Sequence, residues 1–368
     1  MIVSAVVVLV WLGAAVVVGA EGDARVARRK GVWGASGAAV VSLVGFPDSL
    51  VCTTFCLAGV LIAALSPVGS HPPRVLARAL VLVGLACAFT VARFAAVDAL
   101  LWAGTAVVAW SAARDGRLFA LYHVPSVLLV GVGLVVSPPV GGVLVLAGVA
   151  VRAAVVPAHS WFPRFVAHTP MGVVAAFLLP LGLLVPSVPA APVVGAVAAL
   201  VGALFAVVQS DGTRALAFLL ASVGGVTLVD GAQPALVLAS TGLAMTVGAL
   251  TARRGALSLT TPAGDLARTP RLAVAYLGFG LALAGFPLLP GFANVHRLLD
   301  HPAPFVVAAV VVAVAVNGMT VLRGFLGLFA GHRAETGERD LTPLENYAVA
   351  VTLSVLVLGG LAPGFTGW

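Results

Sequence analysis

The chain has 368 residues, of which 61% are hydrophobic and 9% charged, with a mean hydropathy of +1.13 and a formal net charge of +7. A soluble domain carries roughly 25% charged residues, so this composition cannot cover a water-facing surface and leaves a polytopic membrane protein. The 20 basic residues include a single Lys, Lys30, and they read as loops on the cytoplasmic face of a bilayer rather than as a nucleic-acid surface.

Residues 1–20 form a first apolar span, followed by Arg25, Arg28, Arg29 and Lys30. A signal peptide carries its positive charge before the apolar stretch, so this is a membrane helix. With Pro, Gly and charge clusters as punctuation, about fourteen spans are predicted. They lie near 1–20, 31–46, 49–66, 74–92, 95–112, 118–136, 139–162, 169–188, 191–209, 213–229, 233–252, 270–298, 303–328 and 342–361. Alternation from an outside N-terminus puts Arg25 to Lys30, Arg74, Arg78, Arg114, Arg117, Arg164, Arg214, Arg253 to Arg271 and Arg323 to Arg339 inside. Only Arg93 and Arg297 fall outside, and Arg152 falls within a span. This asymmetry predicts an even number of spans with both termini outside. The Ala, Val, Leu and Gly bias is that of a GC-rich prokaryote and sets the chain in a prokaryotic cell membrane.

The longest polar loop, 253–270, is too short to fold alone, so the chain reads as one membrane domain. It contains no phosphate loop, zinc spacing or nucleophile elbow, and no cofactor is expected. The spaced glycines of Gly278 to Gly285 read as close helix packing. Cys52 and Cys56 sit one helical turn apart and Cys87 lies in another apolar run. With no further ligands nearby in sequence, the three are read as packing residues.

One stretch departs from the apolar pattern. "VVPAHSWFPRFVAHTPMG", Val155 to Gly172, holds His159, His168, Arg164 and Trp161 among Pro157, Pro163 and Pro170. Three further stretches follow in order: Leu204 to Leu228, Asp265 to Leu299 and Asn317 to Ala334. In order and spacing, over roughly residues 95–335, they resemble the antiporter-like subunits of respiratory complex I. The same superfamily includes Mrp-type cation/proton antiporter subunits, hydrogenase membrane arms and the membrane partner of inorganic-carbon uptake complexes. The family's "LPLHTWLPDA…PTP" becomes Val155-Val156-Pro157-Ala158-His159-Ser160-Trp161-Phe162-Pro163, then Thr169-Pro170. Its "QTDIKRVLAYS" becomes Gln209-Ser210-Asp211-Gly212-Thr213-Arg214-Ala215-Leu216-Ala217-Phe218. Its "LPLTAGF" becomes Phe286-Pro287-Leu288-Leu289-Pro290-Gly291-Phe292.

The resemblance implies an all-α polytopic fold of fourteen helices built from two inverted five-helix repeats, each with a broken helix. Here the repeats correspond to 74–209 and 213–328, with helices at 1–66 before them and 342–361 after. Pro157, Pro163, Pro170, Pro287 and Pro290 mark the breaks. The resemblance implies a subunit that moves protons or monovalent cations within a lipid bilayer, as part of a larger complex of membrane and soluble subunits. It implies no catalysis by this chain alone; any oxidoreductase chemistry belongs to other subunits.

The ionisable pattern departs from the family's. The relay Lys ahead of the first break aligns with Arg152, its partner Glu with Ala103 after Trp102, and two further Lys with Thr213 and Val295. Arg keeps its proton at any working pH, so it biases neighbours or binds an anion rather than relaying. A minimal path would use Asp98, Arg152, His159, His168, Asp211, Arg214 and His296 with water. Each also has a plainer reading. Arg152 can pair with Asp98, His159 and His168 can sit at helix ends, Trp161 can anchor at the interface, and Asp211 can cap a helix. His123, before Pro125, reads as a structural residue at a helix start. The alternatives to a translocating subunit are a scaffold with a degenerate relay, or a carrier of a small anion such as bicarbonate. In its bicarbonate form this carrier pairs with a soluble zinc protein.

Overall fold

The computed structural model describes residues 2–45, 50–300, 302–331 and 339–362. Met1, Phe46, Ser49, Arg333 and Ala334, which enter the reading above, lie outside the described residues. Among those described, the chain is helical, with one isolated antiparallel bridge between Asp211 and Ser258 and no strand. In lipid a helix satisfies every backbone N–H and C=O within its own segment, so long apolar runs have no other stable form.

The helices are α1 (Ile2–Gly19), α2 (Ala24–Gly45), α3 (Leu50–Leu65), α4 (Pro73–Phe89), α5 (Ala95–Ala112), α6 (Gly116–Gly133), α7 (Val140–Arg152) and α8 (Trp161–His168). They continue with α9 (Met171–Leu178), α10 (Ala190–Val207), α11 (Gly212–Asp230), α12 (Pro234–Arg254), α13 (Pro270–Leu283), α14 (Pro290–Leu298), α15 (Pro304–Phe329) and α16 (Pro343–Leu361). A 3₁₀ turn, Leu179–Leu183, extends α9. Pro stands in the first turn of α4, α12, α13, α14, α15 and α16, where its missing N–H has no helical partner to lose.

Among the described residues, seven helices are long and apolar enough to cross a membrane, and five apolar segments are shorter. The span expected at 95–112 is reproduced to the residue. Those expected at 139–162 and 270–298 are each two helices with non-helical chain between them. The second expected span starts earlier than expected. Arg25 to Lys30 are helical residues of α2 rather than a loop. Asp23 begins that helix by accepting from Arg25 N at 2.6 Å, and Lys30 pairs with Glu21 at 2.5 Å. The loop is thus shorter than charge counting suggests.

Packing is closest where glycines face backbone. A Cβ on Gly225 of α11 would sit 2.3 Å from Ala199 N and 2.7 Å from Gly195 O of α10. Ser222 Oγ donates to Ala199 O across the same contact, at 2.8 Å. Small residues that let backbones approach are how helices associate where lipid supplies no hydrophobic drive. Gly280 has the same role against α15, where a Cβ would meet Val321 at 2.3 Å, as expected for that stretch.

Charged residues gather at the helix ends. Glu345, 3% exposed, takes Arg28 at 3.1 Å and Arg253 at 2.9 Å, joining α2, α12 and α16. It also accepts from Thr342 N at 2.8 Å, closing a capping box that starts α16. Arg254 pairs with Asp265 at 2.9 Å, and Arg323 donates to the carbonyls of Val207 and Gln209 past the end of α10.

Two outcomes test this packing. Gly225→Ala is expected to destabilise the protein in detergent by about 1–3 kcal/mol, read as a lowered Tm, whereas Gly13→Ala, with open space around it, leaves Tm unchanged. Glu345→Gln, which leaves two guanidinium groups without their counter-charge, is expected to cost about 3 kcal/mol in the same assay.

Candidate functional site

The first break defines the candidate site. α7 ends at Arg152, the chain runs non-helically through residues 153–160, and α8 resumes at Trp161. Ala154 takes φ +56°, a left-handed conformation uncommon for a residue with a side chain. Pro157 lies within this break. Pro163 does not interrupt the chain, because it sits in the first turn of α8, and Pro170 caps α9. The second break, residues 284–289 between α13 and α14, repeats the pattern. Leu288 takes φ +75°, Pro287 lies within the break and Pro290 starts α14.

Arg152 is fully buried at the first break. Its Cζ lies 3.4 Å from the ring centre of Trp102 and 4.2 Å from that of Phe177, so the guanidinium is held between two aromatic faces. Its Nη2 donates to Trp102 O at 3.1 Å, while Nε and Nη1 have no protein acceptor. Among the described residues Arg152 has no carboxylate partner; in particular it makes no ion pair with Asp98. The guanidinium lines a cavity of about 40 Å³ together with Thr227 and Ser240. At roughly 10–15 Å³ per water, that space suits about three or four waters.

The rings around Arg152 are fixed by their own polar edges. Trp102 Nε1 donates to Ser126 Oγ at 3.3 Å, and Ser126 passes the bond to Gly148 O at 2.7 Å. Trp161 is buried and donates to Val151 O at 3.1 Å, so it is a core residue and not an interface anchor. His123 is likewise not at a helix start. It lies inside α6, buried, stacked on Phe119 at 4.0 Å and edge-on to Trp161 at 4.4 Å. Neither of its ring nitrogens has a protein partner.

A second cavity, of about 30 Å³, is lined by Asp230, Gln233, Asn294 and Asn317 and shares the walls Val223 and Leu236 with the first. Asn317 Nδ2 donates to Ser222 Oγ at 2.9 Å, and its Oδ1 is buried without a partner. The two small polar spaces therefore abut across apolar side chains, one at each break.

The other residues read from the sequence lie apart from Arg152. Asp98 is half-buried in the first turn of α5. His159 is half-buried in the break, its ring 5.8 Å from Phe205, and its Nδ1 has no partner. His168 ends α8 exposed. Asp211 caps α11 by accepting from Arg214 N at 2.8 Å, and the Arg214 side chain is exposed. His296 is exposed on α14.

No motif or spacing pointed to His71. It is buried in the connection between α3 and α4, and its Nε2 accepts from Gly172 N at 3.1 Å, which fixes the start of α9 just beyond the first break. That bond puts the ring proton on Nδ1, 3.0 Å from Ser70 Oγ. Burial holds this imidazole down to about 4, against an ordinary value near 6.5.

No family model matches the chain. NADH-quinone oxidoreductase subunit N 3 of Streptomyces griseus is 28% identical over 263 residues, covering 61% of this chain and 48% of the relative. The match thus spans about half the length of that relative. Among solved structures, a chain of the Mrp complex from Dietzia sp. DQ12-45-1b superposes with a TM-score of 0.82 at 17% identity, covering 99% of this chain and 96% of that one. A chain of Thermus thermophilus respiratory complex I with bound aureothin gives 0.78 at 20% identity, covering 98% and 97%. One from the archaeal membrane-bound sulfane sulfur reductase gives 0.79 at 16%, covering 97% and 76%. The fold is that of a helical, polytopic chain. More narrowly, it is the fold of the matched chains of respiratory complex I and the Mrp complex, in line with the resemblance that the quoted motifs carry.

The His71 contact carries a pH dependence. The unfolded chain takes up a proton on His71 below about pH 6.5 and the folded chain only below about 4. Stability is therefore present in full above 6.5 and falls as pH drops through that window. Thermal unfolding in detergent between pH 7 and 4 is expected to show this decline, and a His71→Gln variant, whose amide oxygen can still accept from Gly172, is expected to show a weaker one.

Proposed function

We propose that this chain is a proton- or cation-translocating antiporter-like subunit of a larger prokaryotic membrane complex, working with a reduced set of ionisable residues. The observation that carries this reading is Arg152: a fully buried guanidinium, at the end of a broken helix, with two nitrogens, Nε and Nη1, that have no protein acceptor. A charge inside a membrane segment is expensive and is retained where it acts.

Arg152 holds its proton throughout. It sets a fixed positive potential at the break and orients water through Nε and Nη1. Thr227 and Ser240 supply hydroxyls on the opposite wall. From there protons pass by water toward Asn317, Asn294 and Asp230 at the second break, across Val223 and Leu236. His159, within the first break, and His168, at the end of α8, serve as the approach from the other side, with Asp98, Asp211, Arg214 and His296 as charge farther out. The breaks at Pro157 and Pro287 belong to inverted repeats, 74–209 and 213–328, flanked by 1–66 and 342–361, and both termini face outside. Partners are other subunits of the complex, which hold whatever redox groups it uses.

The absence of a carboxylate beside Arg152 supports one second reading, in which the guanidinium binds a small anion. Substitution separates the readings in membrane vesicles that carry the whole complex, with the pH gradient followed by a fluorescent probe. Arg152→Lys is expected to keep or raise proton movement, because a buried Lys can titrate, and Arg152→Met is expected to lower it at least tenfold. An anion carrier fails with Lys as well, and a scaffold tolerates Met. Capture of the tagged protein from native membranes in mild detergent is expected to bring oxidoreductase or antiporter subunits with it; recovery of the chain alone refutes the complex.

A further inference from the structure

The three cysteines, separate in sequence, meet in the fold. Cys52 and Cys56 lie one turn apart on α3, Cys87 comes from α4, and the three sulfurs lie within 4.8 Å of one another. All three are free thiols, each at most 2% exposed. The Cys56 and Cys87 sulfurs are 3.9 Å apart. A trigonal site with metal–sulfur bonds of about 2.3 Å places its sulfurs about 4.0 Å from each other, by triangle geometry. The spacing found is thus close to that of a three-sulfur ligand set.

A second observation is independent of the spacing. Trp11 is fully buried against α3 and α4, where it fills the space that a Cβ on Gly59 or Gly84 would need. Its Nε1 has no hydrogen-bond partner and sits beside Cys56. A buried N–H without an acceptor is costly. A thiolate at Cys56 would supply the acceptor, and N–H donors to sulfur are a recurring support of metal–thiolate sites. The hydroxyls of Ser42 and Thr90 are engaged elsewhere, Ser42 with Thr53 Oγ1 at 3.0 Å and Thr90 as donor to Cys87 O at 2.7 Å. Cys52 also stands in the first turn of α3, where the helix dipole favours an anionic sulfur.

We propose that Cys52, Cys56 and Cys87 form a binding site for a soft, thiophilic monovalent cation of the Cu(I) type, in trigonal sulfur coordination. Zinc fits less well, because structural zinc takes four ligands, and among the described residues no fourth His, Cys, Asp or Glu joins the cluster. Soft thiolate sets select Cu(I). Binding through three thiolates releases three protons and leaves two net negative charges at the site, which the Trp11 N–H and the N-terminal end of α3 beside Cys52 offset in part. The site is remote in sequence from the Arg152 break and does not depend on the translocation reading.

The test uses the full chain, purified in mild detergent, reduced, and titrated anaerobically with Cu(I) against bathocuproine disulfonate as a competing chromophoric chelator. One Cu(I) per chain is expected, with copper-edge X-ray absorption showing three sulfur neighbours and no nitrogen. Cys87→Ala and Cys52→Ser are each expected to weaken binding at least tenfold while keeping the Tm of the unsubstituted chain. Failure to outcompete the chelator overturns the proposal, as does a spectrum with nitrogen or oxygen ligands, which marks adventitious binding at histidine. Both of those results come from the unsubstituted protein, so they decide the matter even where a variant folds poorly.

Discussion

A guanidinium with no carboxylate beside it, held between two aromatic rings at the point where a helix stops, organises the rest of this structure. Arg152 needs Trp102 and Phe177 in place as faces and Trp102 O as an acceptor. Trp102 in turn needs Ser126, and Ser126 needs the close approach of α6 and α7 that brings Gly148 O within 2.7 Å. The aromatic cluster of Phe119, His123, Trp161 and Phe165 then fills the space that the break opens. Each link is ordinary; together they keep a charge in a place that lipid would otherwise refuse.

The same constraint accounts for where polarity is allowed. Inside a bilayer every backbone and side-chain donor needs a protein or water partner. Besides the connections between helices, the chain has two breaks, each beside a small cavity, and it gathers most of its remaining charge at helix ends, as in the Glu345 and Arg254 clusters. The clusters join α2, α12 and α16 and tie the loop before α13 to α12. They bind the bundle without placing charge against lipid.

The left-handed residues Ala154 and Leu288 give the two breaks a shared backbone geometry. Neither is Gly, so each conformation persists because its surroundings enforce it, at a cost of order 1–3 kcal/mol.

The sequence alone determined the class of fold and the position of its breaks. Helix in lipid follows from apolar run length, so α5 was legible to the residue; the Pro-rich interruptions marked where the two breaks fall, although Pro163, Pro170 and Pro290 belong to the helix starts that follow. Charge patterning marked most of the loops, though it could not show that Arg25 to Lys30 are already helical, because Asp23 and Glu21 stabilise that turn locally. Tertiary structure decided which side chains meet. Arg152 pairs with rings rather than with Asp98, His123 and Trp161 are interior, His71 reaches Gly172 across 101 residues, and Cys87 joins Cys52 and Cys56. Such contacts depend on helix rotation and close packing set by glycines on neighbouring helices. Local periodicity carries no information about them.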